Sequence, residues 1–208
     1  LTHFEGNANA FRLLTHRFHG RREGGFVMTY ATLTSIVKYP FESHWAGSHG
    51  KFGFFCFERD AFRRIADELG LLRLSADGEP LRYARHPLVY LVEAADDICY
   101  EIMDIEDSHK LKILSYEETA DLLLGFFDTE MQRAKEEGVS DENEEVVYMR
   151  ACVIGCLEKA CVKAFIDHEE EILNGTFKGS LIDHVEPLVR DAYRRCQALS
   201  VKKIYNSK

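Results

Sequence analysis

From Leu88 to Ser108 the chain runs without a single glycine or proline. Apolar residues recur there at spacings of three and four, and Pro87 stands just ahead of the run, where a proline opens a helix. A stretch of that length commits a chain to a long amphipathic helix. The rest reads the same way. Proline occurs only four times in 208 residues, and β-branched alternation is scarce. Phe4, Ala8, Phe11, Leu14 and Phe18 predict a helix over 4–18. Met28 to Tyr39 predicts a second helix that stops at Pro40. Glu58 to Leu69 predicts a third, closed by Gly70. Ser115 with Glu118 forms a capping-box signature, and Asp141 with Glu144 opens a long helix to about Leu173. Pro187 starts a last one. Residues 41–55, rich in Gly, Ser, His and aromatics, read as a long loop, and loops of that length usually carry function. The expectation is an all-α fold in one domain, 1–208, without repeats.

Charge narrows the classes further. Lys and Arg number 26 and Asp and Glu 35, a formal net charge of −9, which argues against a broad non-specific nucleic-acid surface. No apolar run approaches the ~18–20 residues that span a bilayer. The six cysteines, at 56, 99, 152, 156, 161 and 196, show no C-x-x-C pair. They read as reduced, buried thiols of a cytoplasmic protein, with Cys152 and Cys156 as core neighbours rather than metal ligands. Leu1-Thr2-His3-Phe4 is not a translation start, and the periodicity runs to the last residues. A piece of a longer protein is therefore expected.

The long helix carries the chemistry. At about 100° per residue, Leu91, Ala95, Ile98, Ile102 and Ile105 fall on one stripe, and Asp96, Tyr100 and Asp104 fall on the opposite side. Without an interleaved cation, such acidic neighbours repel. They suit either a solvated face or a cleft in which carboxylates meet a divalent cation and substrate hydroxyls.

Four collinear segments carry a resemblance. Glu93-Ala94-Ala95-Asp96-Asp97-Ile98-Cys99-Tyr100 followed by Met103-Asp104-Ile105-Glu106-Asp107 resembles the fourth metal-ligand helix of the deoxyguanosine triphosphate triphosphohydrolases (dGTPases) of the HD superfamily. Phe4-Glu5-Gly6-Asn7-Ala8-Asn9 resembles the family's FEGNAQ-type helix. Met28-Thr29-Tyr30-Ala31-Thr32-Leu33 through Lys38-Tyr39-Pro40 resembles its LTYATL…KYP stretch. Lys51-Phe52-Gly53-Phe54-Phe55 with Glu58 resembles the loop after it. The likeness covers residues 3–125, and 126–208 is compatible as a helical extension.

The resemblance implies an HD-superfamily-like helical domain that, with a divalent metal (Mg²⁺ or Mn²⁺), cleaves a deoxynucleoside triphosphate, dGTP above all, to the deoxynucleoside and tripolyphosphate. It implies Asp96 as a metal ligand. It places Tyr100 and Asp104 at the deoxyribose, Lys38 and Tyr39 at the phosphates, and Asn7 and Lys51 as further triphosphate contacts. It also implies a homo-oligomer. Two departures stand out. No His-Asp pair occurs, since the Asp-His pairs at 167–168 and 183–184 run the wrong way. Asn9 replaces the usual Gln. The family's first His, HD pair and catalytic His and Glu precede the FEGN helix, so the domain is expected to be incomplete at its N-terminus and at its C-terminus. No catalytic residue lies within it, and alone it should be inactive, because one carboxylate cannot hold a hydrolytic metal. Two other readings are a nucleotide- or single-stranded-DNA-binding module, served by Arg12, Arg17, Arg21 and Arg22 with His16 and His19, and a purely structural helical domain. His44 and His49 have no visible pairing and carry no assignment.

Overall fold

The computed structural model describes residues 4–20, 25–47, 50–128 and 141–205. The fold is all-α: among these residues there are eight α-helices, several short 3-10 turns and no strand. They divide between two compact units, one within Leu1–Val92 and His168–Lys178, the other within Glu93–Asp167 and Gly179–Lys208.

In the first unit, α1 (Gly6–Thr15) starts on Glu5, whose carboxylate accepts the Ala8 N–H at 3.0 Å. It stops three residues short of the predicted end. His16 turns extended, its N–H bonded to the Arg12 carbonyl, and Phe18 stays partly exposed, edge-on to His16 and Phe26. Phe4 is exposed too, so only Ala8 and Phe11 of the predicted stripe are fully buried. α2 (Tyr30–Ser35) is likewise shorter than the sequence predicts. Thr29 caps it, but the Thr34 and Ser35 hydroxyls bond back onto its own carbonyls. That competition ends a short helix, and Pro40 keeps Tyr39 from resuming it.

The predicted loop 41–55 is pinned rather than free. Bridges pair Phe41 with Arg82 and Glu42 with Phe54, and a 3-10 turn spans Ser43–Trp45. A second such turn, Cys56–Glu58, leads into α3 (Arg59–Glu68). Phe62 is the hub of this unit. It stacks on Phe54 at 4.2 Å and meets Phe11 at 5.4 Å and Tyr83 at 5.7 Å, with Leu33, Val37, Ile65 and Leu81 around it. Such ring pairs contribute beyond the area they bury. Phe177 closes on Tyr90 at 5.0 Å.

α4 (Pro87–Lys110) supplies its first turns to this unit and the rest to the second. The second unit continues with α5 (Tyr116–Leu124), opened by the predicted Ser115–Glu118 capping box, and α6 (Glu142–Asp167), capped by Asp141. The predicted continuation to Leu173 breaks at His168, and α7 (Glu169–Leu173) follows as a separate helix. α8 (Pro187–Leu199) ends in a π-helical turn, Ser200–Tyr205. α5, α6 and α8 pack on one another, burying Leu123, Met149, Val153, Leu157, Val189 and Cys196. Each such side chain contributes about 1.5–3 kcal/mol by leaving water. The buried line of α4 in this unit is Ala94, Ile98, Ile102 and Ile105. Ala95, predicted to be on it, is exposed, because the line drifts with the 3.6-residue period. Cys56 and Cys99 are exposed and Cys152 and Cys156 half-buried, so of the six thiols only Cys161 and Cys196 match the expectation of burial. Among the described residues no helix is long and apolar enough to cross a membrane.

Candidate functional site

The α4 stripe is set by helical geometry, and its residues differ in exposure. Asp96 and Tyr100 lie at the surface, Tyr100 with 68% of its area open, while Asp104 is half-buried. The enclosed cleft that the sequence suggested is thus not formed around Asp96 and Tyr100 by the described residues. Asp104 is the engaged member: its carboxylate accepts the Tyr205 hydroxyl from the π-turn. That hydrogen bond, with burial, pushes the Tyr205 hydroxyl up to about 12. One turn before Asp104, Glu101 is buried and accepts from the Ser200 hydroxyl at 2.6 Å. Burial raises its carboxyl above the usual range despite that bond. The Tyr193 hydroxyl donates to the Asp97 carbonyl at 3.0 Å. α8 and its π-turn therefore hold α4 through three hydroxyls, two of them on carboxylates and one on a backbone carbonyl. This arrangement accepts hydroxyl donors at Asp104.

In the first unit the structure brings Asn7 and Lys51 together, through a residue to which sequence reasoning gave no role. Glu5 is 4% exposed. One of its oxygens caps α1, and the other accepts Asn7 Nδ2 at 3.0 Å and faces Lys51 Nζ at 3.5 Å. The signal was present: a carboxylate immediately before Gly6 is an N-cap candidate. Lys38 and Tyr39 sit in the segment leaving α2. The Lys38 carbonyl accepts Arg85 Nε at 2.9 Å, and Arg85 lies over the Tyr90 ring. The Tyr39 ring tilts against Phe41 at 6.0 Å. Gly53 fits directly against this segment; a Cβ there would stand 2.1 Å from the Tyr39 carbonyl oxygen and 2.4 Å from Val37 Cγ1. The KYP and KFG stretches thus form one interlocked piece.

Beside it lies a cavity of about 840 Å³ lined by Arg12, His16, Phe52, Phe55, Cys56 and Glu58 among others. Arg12 pairs with Glu58 at 3.0 Å. Burial lifts the Glu58 carboxyl above its usual range, and Arg12 opposes that rise only in part. Arg12 therefore does not stand free for a nucleic-acid backbone, and Arg21, Arg22 and His49 lie outside the described residues. His44, to which the sequence assigned nothing, faces Glu42 at 3.3 Å and Cys56 at 3.5 Å. Among the described residues this is the one group of three side chains close enough to share an ion. Asp96 belongs to no such group, so the carboxylate it offers does not by itself fit a hydrolytic metal.

No protein-family model matches the chain. It is 36% identical over 212 residues to a protein of Pseudomonas aeruginosa named "Deoxyguanosinetriphosphate triphosphohydrolase-like protein", the match covering 99% of this chain and 47% of that one. A Synechocystis protein of the same name is 37% identical over 189 residues, 86% of this chain and 42% of its own length. The "Deoxyguanosinetriphosphate triphosphohydrolase" of Yersinia enterocolitica is 29% identical over 229 residues, with 99% and 42% covered. The chain spans about half the length of the curated relatives it matches.

Proposed function

The chain belongs with the deoxyguanosinetriphosphate triphosphohydrolase-like proteins, whose sequences match nearly all of it, and from that premise we propose that it is the sugar- and phosphate-binding part of such an enzyme. The complete protein hydrolyses a deoxynucleoside triphosphate, dGTP first, to the deoxynucleoside and tripolyphosphate. The observation that carries this reading is the α4 stripe, where Asp96, Tyr100 and Asp104 stand one turn apart and Asp104 already accepts a hydroxyl. The same geometry suits the 3′-hydroxyl of a deoxyribose, with Tyr100 beside it. Lys38, Tyr39, Lys51 and Asn7 hold the phosphates. Lys51 supplies a point charge that Glu5 positions, and Asn7 supplies an amide turned by the same carboxylate.

Mg²⁺ or Mn²⁺ is the proposed metal, with Asp96 giving one carboxylate and residues outside this chain the rest. When bound it polarises the α-phosphate and lowers the pKa of an attacking water. Exposed apolar side chains such as Phe57 and Leu111 support a homo-oligomer, and six free cysteines fit a reducing, cytoplasmic setting.

The test is turnover. The 208-residue chain with dGTP and Mn²⁺ is expected to release no tripolyphosphate, and the protein restored with its flanking genomic sequence is expected to release it. In the restored protein Asp104→Asn removes a hydrogen bond to a charged group, about 1.5–3 kcal/mol, and should lower kcat/KM roughly ten- to a hundredfold. A restored protein without turnover would defeat the enzymatic reading. Unchanged kinetics in Asp104→Asn and Lys38→Ala would defeat the site assignment.

A further inference from the structure

We propose that Glu42, His44 and Cys56 form a binding site for a zinc-like divalent cation, separate in ligand chemistry from the metal proposed at Asp96. Three atoms converge there. Glu42 Oε1 lies 3.3 Å from His44 Nδ1, and His44 Nδ1 lies 3.5 Å from Cys56 Sγ; all three atoms lie within 4.8 Å of one another. A tetrahedral zinc ion binds nitrogen and oxygen at about 2.0–2.1 Å and thiolate sulfur at about 2.3 Å, which sets N···O edges of about 3.3 Å and N···S edges of about 3.6 Å. The two separations in this chain match those edges.

The same atoms argue against a nucleophile–base relay. In such a relay the imidazole uses one ring nitrogen for the nucleophile and the other for the orienting carboxylate. Here sulfur and carboxylate both face Nδ1, which describes convergence on a common point. The donor set, one thiolate, one imidazole and one carboxylate, is that of a borderline-soft cation rather than of magnesium.

Glu42 is also oriented as a ligand should be. It is fully buried. Its Oε2 accepts Arg59 Nε at 3.0 Å and the Leu81 N–H at 3.1 Å, and its Oε1 accepts Arg59 Nη2. These three hydrogen bonds fix the carboxylate, and its Oε1 is the oxygen turned toward His44. Outer partners of this kind fix a metal ligand in place. The backbone holds the two ligand segments side by side through the Glu42–Phe54 bridge and the Ser43 N–H on the Phe54 carbonyl. His44 and Cys56 are exposed, so an ion has a path in. Three protein ligands leave a fourth position open. An ion there clips the 42–46 turn to the 3-10 turn that leads into α3 and forms one edge of the cavity that Ser43 and Cys56 also line.

The experiment uses the reduced 208-residue chain, freed of metal with a chelator and titrated with Co²⁺ and then Zn²⁺. The expected result is saturation at one ion per chain, with a thiolate-to-cobalt charge-transfer band and tetrahedral d–d bands that Zn²⁺ abolishes. Zinc should also block Cys56 from a thiol reagent while leaving exposed Cys99 reactive. Cys56→Ser should lose the charge-transfer band, and His44→Gln should lose saturable binding, each with unchanged circular dichroism. A chain with no thiolate band overturns the proposal. So does a band that survives in Cys56→Ser and disappears when Cys152 and Cys156 are replaced instead.

Discussion

Replacing Glu5 tests how the first unit is tied to its predicted phosphate contacts. Glu5→Ala removes three things at once: the cap on α1, the acceptor of the Asn7 amide and the partner of Lys51. An N-cap contributes about 1 kcal/mol, and a buried hydrogen bond to a charged group about 1.5–3 kcal/mol. The Lys51 pair adds little, since that side chain is 54% exposed and surface pairs are worth about 0–1 kcal/mol. The expected loss is about 3 kcal/mol, or roughly 6–12 °C in Tm for a chain of this size. The chain's one tryptophan, Trp45, lies in the same unit and donates from its indole to the Pro80 carbonyl at 2.8 Å. Urea unfolding followed by its fluorescence therefore reads the right part of the molecule. Glu5→Gln keeps one acceptor oxygen where Glu5 uses two, so it can serve the cap but leaves Asn7 facing an amide N–H, and it should recover only the cap, about 1 kcal/mol. Lys51→Met should cost no more than that amount. An unchanged urea midpoint in Glu5→Ala would refute the assignment. A Lys51→Met loss equal to that of Glu5→Ala would refute the ranking of cap over ion pair.

Glu101→Gln should stabilise the chain at pH 7. Burial raises the Glu101 carboxyl in the folded state, so the contribution of its protonated form is complete below the unfolded value of about 4.3 and is lost as pH rises through the higher folded value. The gain should therefore vanish in urea melts at pH 4. Gly53→Ala should destabilise by about 3 kcal/mol or more, as its Cβ would meet backbone that cannot yield; the same fluorescence melts read it. With a chromogenic thiol reagent, Cys56 and Cys99 should react in the native state. Cys161 and Cys196, pushed up by burial to about 11 and about 12, should react only after unfolding.

What was legible in the sequence was local. Ser115–Glu118, Asp141, Pro87 and Pro187 each start a helix where the pattern places it, because a cap acts over three residues and a proline over one. The α4 stripe was legible because a helix fixes i, i+4 and i+8 on one side. Helix ends decided by competition were not. α2 stops at Ser35 because hydroxyls bond backward, and α6 breaks at His168, where the backbone leaves helical geometry without a proline or glycine to announce it. Contacts between distant residues were also hidden. Glu42 and Arg59 are seventeen positions apart and Asp104 and Tyr205 one hundred and one, and no local pattern pairs them. The thiols were misjudged for a related reason. Cys99 sits in an apolar-looking helix, but on the side that faces water.

The π-turn at Ser200–Tyr205 sets a register. A π-turn carries one residue more per closure than an α-turn, and each residue advances about 100° around the axis. Deleting a single residue between Ser200 and Tyr205 would swing the phenol roughly a quarter-circle off Asp104 with no change in its chemistry. Access to that aspartate is thus governed by counting, and an insertion or deletion in this tail would alter it more than most substitutions there.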